Sequence, residues 1–134
     1  MIKGYKIVEI PSVIDERGSV SFVELGQLVN FAFKRAYWLY NIKTERGFHC
    51  HKKLKQFIFC IHGSVDCVLD DAKNRIIIKL DSPNKGLIID QPLWREMKNF
   101  NNSACVVVLA SDTYDEEDYI RSYQEFKKWT DCNL

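Results

Sequence analysis

Residues 46–52, RGFHCHK, set two imidazoles two positions apart, His49 and His51, with Arg46 ahead of them and Lys52 behind. Side chains alternate between faces along a β-strand. His49 and His51 therefore share a face, with Gly47 and Lys53 in line, while Phe48, Cys50 and Lys52 point the other way. Two imidazoles side by side in a concavity suit either metal binding or proton transfer. A divalent metal normally takes three or more protein donors. Here the later segment DQPLWREMKNFNNSACVVV carries no histidine, and His62 falls at a predicted turn that aims it away. Metal-free acid/base chemistry is the stronger reading, and a purely structural pair is the plain alternative. Neighbouring cations oppose protonation. They would hold the imidazoles neutral near pH 7, as a general base requires.

The elements that must carry this pair read as strands. YKIVEI, SVSFVEL, AYWLYNI, KQFIFCIHG, SVDCVLD, RIIIKL, GLIID and ACVVVLA are rich in β-branched and aromatic residues. Polar punctuation such as DDAKN, DSPNKG and KNFNNS separates them, and VLDDAKNRIII has the pattern of a hairpin. Many short strands at this spacing predict an all-β sandwich or barrel. Only DEEDYIRSYQEFKKWTD looks helical. Its apolar residues Tyr119, Ile120, Tyr123, Phe126 and Trp129 recur every three to four positions, and its acidic residues 115–118 suit a helix start. The expectation is a C-terminal helix packed on the outside of the barrel.

Composition narrows the function classes. The 134 residues fit one domain spanning 1–134, and the 46% hydrophobic fraction supports a core. With 19 basic against 18 acidic side chains, the net charge of +1 argues against a nucleic-acid binder working by bulk electrostatics. It leaves room for a small basic pocket and one anionic ligand. Five cysteines, without a CxxC pair and mostly inside apolar runs, indicate buried thiols in a reduced, cytoplasmic setting. The N-terminus MIKGYKIVEI has no apolar signal core, and no stretch approaches the roughly 20 apolar residues of a membrane span.

DERGSVSFVEL, RAYWLYNIKTERGFHCHKKLKQFIFCIHGSVDCVLDD, PLWREMKNF and YDEEDYIRSYQEF together resemble the sugar 3,4-ketoisomerases of the cupin superfamily, which act on dTDP-4-keto-6-deoxyglucose. The resemblance runs over nearly the whole chain. It implies an all-β cupin, or jelly-roll, barrel with a C-terminal helix, no cofactor and no metal. It also implies a homodimer, often with exchange of N-terminal strands. The implied reaction moves a ketone from C4 to C3 of the hexose, ahead of amino transfer to a 3-amino-3,6-dideoxyhexose of the kind found in O-antigens, S-layer glycans and antibiotics.

Removal of the C3 proton, acidified by the C4 ketone, would give an enediolate, and reprotonation at C4 would leave the ketone at C3. This needs a base near neutral pH, a shuttle between two oxygens and donors for the developing oxyanion. The resemblance assigns His51 as leading base, His49 as its partner and Tyr37 as shuttle or hydroxyl donor. Arg17 and Arg46 are implied at the sugar or diphosphate, since guanidinium matches phosphate oxygens in paired bonds. Lys53, Gln56, Arg95 and, more weakly, Arg121 complete the substrate-binding set; Trp94 is equally well a core residue. Members of the family protonate C4 from opposite faces, and Arg17 and Arg95 would bias the choice. A metal-dependent cupin, such as an isomerase or dioxygenase, is disfavoured by the missing ligands, and two further alternatives stand. A dTDP-sugar 3,5-epimerase shares fold and ligand but pairs one histidine with a separated aspartate and tyrosine. A non-catalytic module would bind a sugar nucleotide as a sensor.

Overall fold

A computed structural model describes all 134 residues. The strands are β1 (Tyr5–Glu9), β2 (Ser12–Asp15), β3 (Gly18–Ser21), β4 (Arg35–Leu39), β5 (Arg46–His51), β6 (Gln56–Asp70), β7 (Arg75–Leu80), β8 (Lys85–Ile89), β9 (Trp94–Ala110) and β10 (Tyr119–Ile120). A single helix, α1 (Tyr123–Asn133), closes the chain. Every pairing is antiparallel.

β6 and β9 run through the whole molecule and bend midway. The first half of β6 lies between β8 and the second half of β9, with β1 and β4 at the edges. The second half of β6 lies between β7 and the first half of β9, with β5 and β10 beyond. The two halves face each other across one apolar core. Ile58, Leu87, Val106 and Val108 come from the first half, and Val65, Leu69, Leu80 and Met97 from the second. The edges stay open, so the arrangement is a bent jelly-roll sandwich rather than a closed barrel.

Two expected turns are interior to these long strands. Gly63 and the KNFNNS segment sit where β6 and β9 bend together, not at strand ends. A Cβ at Gly63, which has φ +71°, would collide with the Asn101 carbonyl and lie 2.9 Å from Ala104 Cα. Asn99, Asn102 and Ser103 opposite it also take left-handed backbone. Apolar, strand-forming runs lie on both sides of the bend, so composition alone could not distinguish a kink from a turn.

The outer faces are covered differently. Ile10 and Val29 from the N-terminal segment bury Phe57 and Ile88. On the other half, α1 brings Phe126 onto Cys50, Trp94 and Ile120. The helix is shorter than the sequence predicts. Asp115 caps a single 3₁₀ turn at Glu116–Asp118, Tyr119 and Ile120 then pair with β5, and α1 begins only after Ser122, whose Oγ accepts from Glu125 N at 3.3 Å. Pairing of Tyr119 with His51, and of Ile120 with Cys50, overrides the helical periodicity of these two residues. No helix is long and apolar enough to cross a membrane.

Candidate active site

β5 carries the histidine pair between β9 and β10. His49 lies opposite Arg95, Cys50 opposite Trp94 on β9, and Tyr119 of β10 lies opposite His51. A bulge interrupts β5 just before the pair: Gly47 and Phe48 both have positive φ, +91° and +59°. A Cβ at Gly47 would stand 2.9 Å from the Arg95 carbonyl oxygen and 3.1 Å from Glu96 Cα, so glycine is what lets β5 approach β9 this closely. Past the bulge both imidazoles face inward. Cys50 faces outward beneath α1, fully buried with Phe126 and Trp94, so Trp94 is a core residue.

The rings form a compact group. His49 and His51 meet edge to face with centroids 4.8 Å apart, and the Tyr119 ring lies 4.4 Å from His51 and 5.0 Å from His49. His51 Nδ1 is 3.1 Å from Asp118 Oδ2, while its Nε2 is buried with no hydrogen-bond partner. Behind the rings runs a hydrogen-bonded chain. Arg95, 3% exposed, donates Nε and Nη2 to the Leu93 carbonyl at 3.1 and 2.8 Å and Nη1 to Gln56 Oε1 at 2.7 Å. Gln56 Nε2 in turn donates to the Tyr37 hydroxyl at 3.0 Å. Gln56 and Arg95 thus anchor Tyr37 from behind.

Two clefts open on either side of Tyr119, and both are lined by Tyr119 and Arg35. One, of about 260 Å³, adds His51, Lys53, Asp112 and Asp118. The other, of about 350 Å³, adds Tyr37, Arg46, Gly47, His49 and Arg121. The structure therefore brings together His49, His51, Tyr37, Arg46, Lys53 and Arg121, with Gln56 and Arg95 as backing. Lys53 gets there past the end of β5, not on the strand. Arg121, placed by the β10 turn instead of a helix, is held by both oxygens of Glu116 at 2.8 and 2.7 Å and stacks 4.1 Å over the Tyr119 ring. Arg17 is elsewhere: it sits on the β2–β3 hairpin, 85% exposed, bonded to Asp15 and lining neither cleft. His62 is exposed in β6, with Nδ1 3.3 Å from the Ser103 carbonyl. No three histidine, cysteine or carboxylate side chains cluster as a metal site would need.

Sequence reasoning missed Arg35, Asp118 and Tyr119. Arg35 was findable, since it lies two positions before Tyr37 on the same strand and so shares its face. Asp118 and Tyr119 were absorbed into the predicted helix, and nothing local marks them as a turn and a strand.

Burial and charge act on the imidazoles in one direction. Burial, reinforced by the Arg95 guanidinium, pushes His49 down to about 4. The same causes, with His49 itself, push His51 down to about 2. Burial raises the Tyr37 phenol. Both imidazoles are therefore neutral at pH 7, and Tyr37 is a protonated donor.

A bent jelly roll with two neutral imidazoles and a phenol inside it, and cations at its mouth, defines a cupin-type protein shaped for acid/base work. The chain belongs to the FdtA family: the family described as "FdtA: WxcM-like, C-terminal" matches residues 3–131. A TDP-4-oxo-6-deoxy-alpha-D-glucose-3,4-oxoisomerase of Aneurinibacillus thermoaerophilus is 44% identical over 126 residues, 92% of this chain and 91% of that protein. The crystal structure of a 3,4-ketoisomerase from Helicobacter canadensis superposes with a TM-score of 0.91 at 42% identity, covering 95% of this chain and 97% of that one. The H51N mutant of the 3,4-ketoisomerase QdtA from Thermoanaerobacterium thermosaccharolyticum, in complex with TDP-4-keto-6-deoxyglucose, superposes with a TM-score of 0.95 at 32% identity over 100% of this chain and 99% of that one.

Proposed function

We propose that this chain is a TDP-sugar 3,4-ketoisomerase that converts TDP-4-keto-6-deoxyglucose into the TDP-3-keto-6-deoxyhexose by metal-free proton transfer. The observation that carries the reading is the edge-to-face contact of His49 and His51, with Tyr37 lining the same cleft as His49. His51 takes the C3 proton through Nε2, the electron pair moves into a C3–C4 double bond, and the C4 oxygen becomes the enolate oxygen. Tyr37 and His49 shift a proton from the C3 oxygen to the C4 oxygen, and protonation at C4 restores a ketone at C3. Substrate and product are isomers, so no oxidant or reductant is consumed. Arg35, Arg46 and Arg121 supply positive charge for the diphosphate. The phosphate charges offset those cations and raise the histidine pKa values toward the working range of a base. Incubation with TDP-4-keto-6-deoxyglucose followed by NMR should show the 4-keto sugar replaced by a 3-keto isomer; a 5-epimer would favour a 3,5-epimerase, and unchanged sugar a binding module.

The protein works as a homodimer in which the N-terminal strands are shared. The β2–β3 hairpin pairs with no other strand of its own chain, and Val13, Ile14 and Val20 on it are 56%, 73% and 63% exposed. Such a patch supports burial against a second copy. Exchange of this hairpin offers Arg17 to the partner's site. Light scattering should give a dimer, and Ile14→Lys with Val20→Lys a monomer. All five cysteines are unpaired, which supports a reducing cytoplasm.

A further inference from the structure

We propose that Asp118 is the positioning residue of the reaction: it fixes His51 in the tautomer that carries hydrogen on Nδ1 and leaves Nε2 bare toward the substrate. Asp118 comes from the 3₁₀ turn ahead of β10, a segment with no part in the strand that carries the histidines. Its Oδ2 lies 3.1 Å from His51 Nδ1. The same carboxylate accepts Lys53 N on Oδ1 at 2.7 Å and Leu54 N on Oδ2 at 3.2 Å. Its backbone is fixed too, with its carbonyl accepting from Lys52 N at 3.0 Å and its own N–H donating to the Asp115 carbonyl at 3.1 Å.

These contacts leave the carboxylate little freedom. The Asp118 side chain is 11% exposed and that of His51 1%, so water does not compete for the bond between them. A carboxylate only accepts hydrogen bonds, so the imidazole nitrogen facing it must carry the hydrogen. A neutral imidazole has one hydrogen, and the other nitrogen is then a lone pair. That nitrogen, Nε2, is the buried atom with no partner in the protein. An orphaned polar atom costs stability unless a ligand satisfies it, and the C3–H of a bound sugar is what a base at this point would meet. Asp118 also opposes Arg95 electrostatically, stabilising the imidazolium that forms once the proton is taken. It touches no reacting atom and acts only through His51.

The kinetic half of this inference rests on the ketoisomerase reading; the tautomer half does not. Long-range proton–nitrogen correlation spectra of the ¹⁵N-histidine protein report the hydrogen on each ring nitrogen. His51→Asn and His49→Asn spectra assign the signals. Wild-type His51 should show hydrogen on Nδ1 and an unprotonated Nε2. Asp118→Asn keeps one acceptor oxygen for the backbone amides but turns an NH₂ toward the ring, so the hydrogen should move to Nε2. With TDP-4-keto-6-deoxyglucose, kcat should then fall about 10²–10⁴-fold, the contribution of a positioned general base. KM should stay within about threefold, as for a group acting on the transition state alone. Wild-type His51 with hydrogen on Nε2 overturns the inference whatever the reaction and whether or not the variant folds. So does an Asp118→Asn protein that keeps the wild-type kcat. A wild-type protein that shows the expected tautomer but leaves the sugar unchanged defeats the ketoisomerase reading alone.

Discussion

His49 and His51 stand edge to face at 4.8 Å, and Arg95, directly opposite His49 across the β5–β9 ladder, opposes the protonation of both. Two imidazolium ions this close, beside a guanidinium, would repel strongly. Burial first, and this repulsion after it, hold the pair neutral, and each ring keeps a lone pair at pH 7.

Stability should follow from that. The folded-state value of His49, about 4, lies below its ordinary 6.5. Between those values the unfolded chain binds more protons than the folded one, so stability rises with pH. The contribution is complete above about 6.5 and is lost as pH falls toward 4. Thermal unfolding midpoints should drop from pH 7.5 to pH 5, and His49→Asn should flatten the drop.

Arg95→Met tests the origin of that depression. Removing the cation should raise the His49 pKa, read by NMR titration of its ring protons. It also strips the Leu93 carbonyl and Gln56 Oε1 of their donors. The expected loss is roughly 2–4 kcal/mol of unfolding free energy in urea. An unmoved His49 would place the cause in burial alone.

Arg46 is exposed on the bulged end of β5 but lines the cleft that holds His49 and Arg121. Arg46→Ala should weaken TDP binding by calorimetry by about 1.5–3 kcal/mol, the range for a hydrogen bond to a charged group. Glu116 already holds Arg121, so Arg121→Ala should also lower affinity, and Glu116→Gln should lower it less. TDP affinity unchanged by Arg46→Ala would remove that residue from the site.

Much of this was legible in the sequence because β-structure writes itself in period two. That rule put His49 and His51 together and Cys50 on the opposite face. It would also have given Arg35 from Tyr37 had it been applied there. The long-range partners were not legible. Asp118 is 67 residues from His51, and their meeting depends on a two-residue strand that propensity cannot announce. The burial of Gln56 and Arg95 behind Tyr37 was not legible either, because only the packed sandwich defines it.

Chelation should leave activity intact. Catalysis is assigned to imidazole and phenol groups, and no three histidine, cysteine or carboxylate side chains are grouped so as to hold a metal ion. Exhaustive dialysis against a chelator followed by kinetic assay checks this; loss of turnover restored by zinc, manganese or iron would end the metal-free account.

The central claim, that the histidine face removes the C3 proton and delivers a solvent-exchanged one to C4, is tested most directly by isomerisation in heavy water followed by NMR. The wild-type protein should give a 3-keto product carrying deuterium at C4, and leave the C5 proton in place. His51→Asn should bind TDP and fold, yet lose isomerisation by about 10²–10⁴-fold, the usual cost of a missing general base. Cys50→Ala, on the opposite face, should keep the chemistry while losing about 1–2 kcal/mol of stability for its buried position. Deuterium at C5, or a His51→Asn protein that turns over at the wild-type rate, would contradict the account.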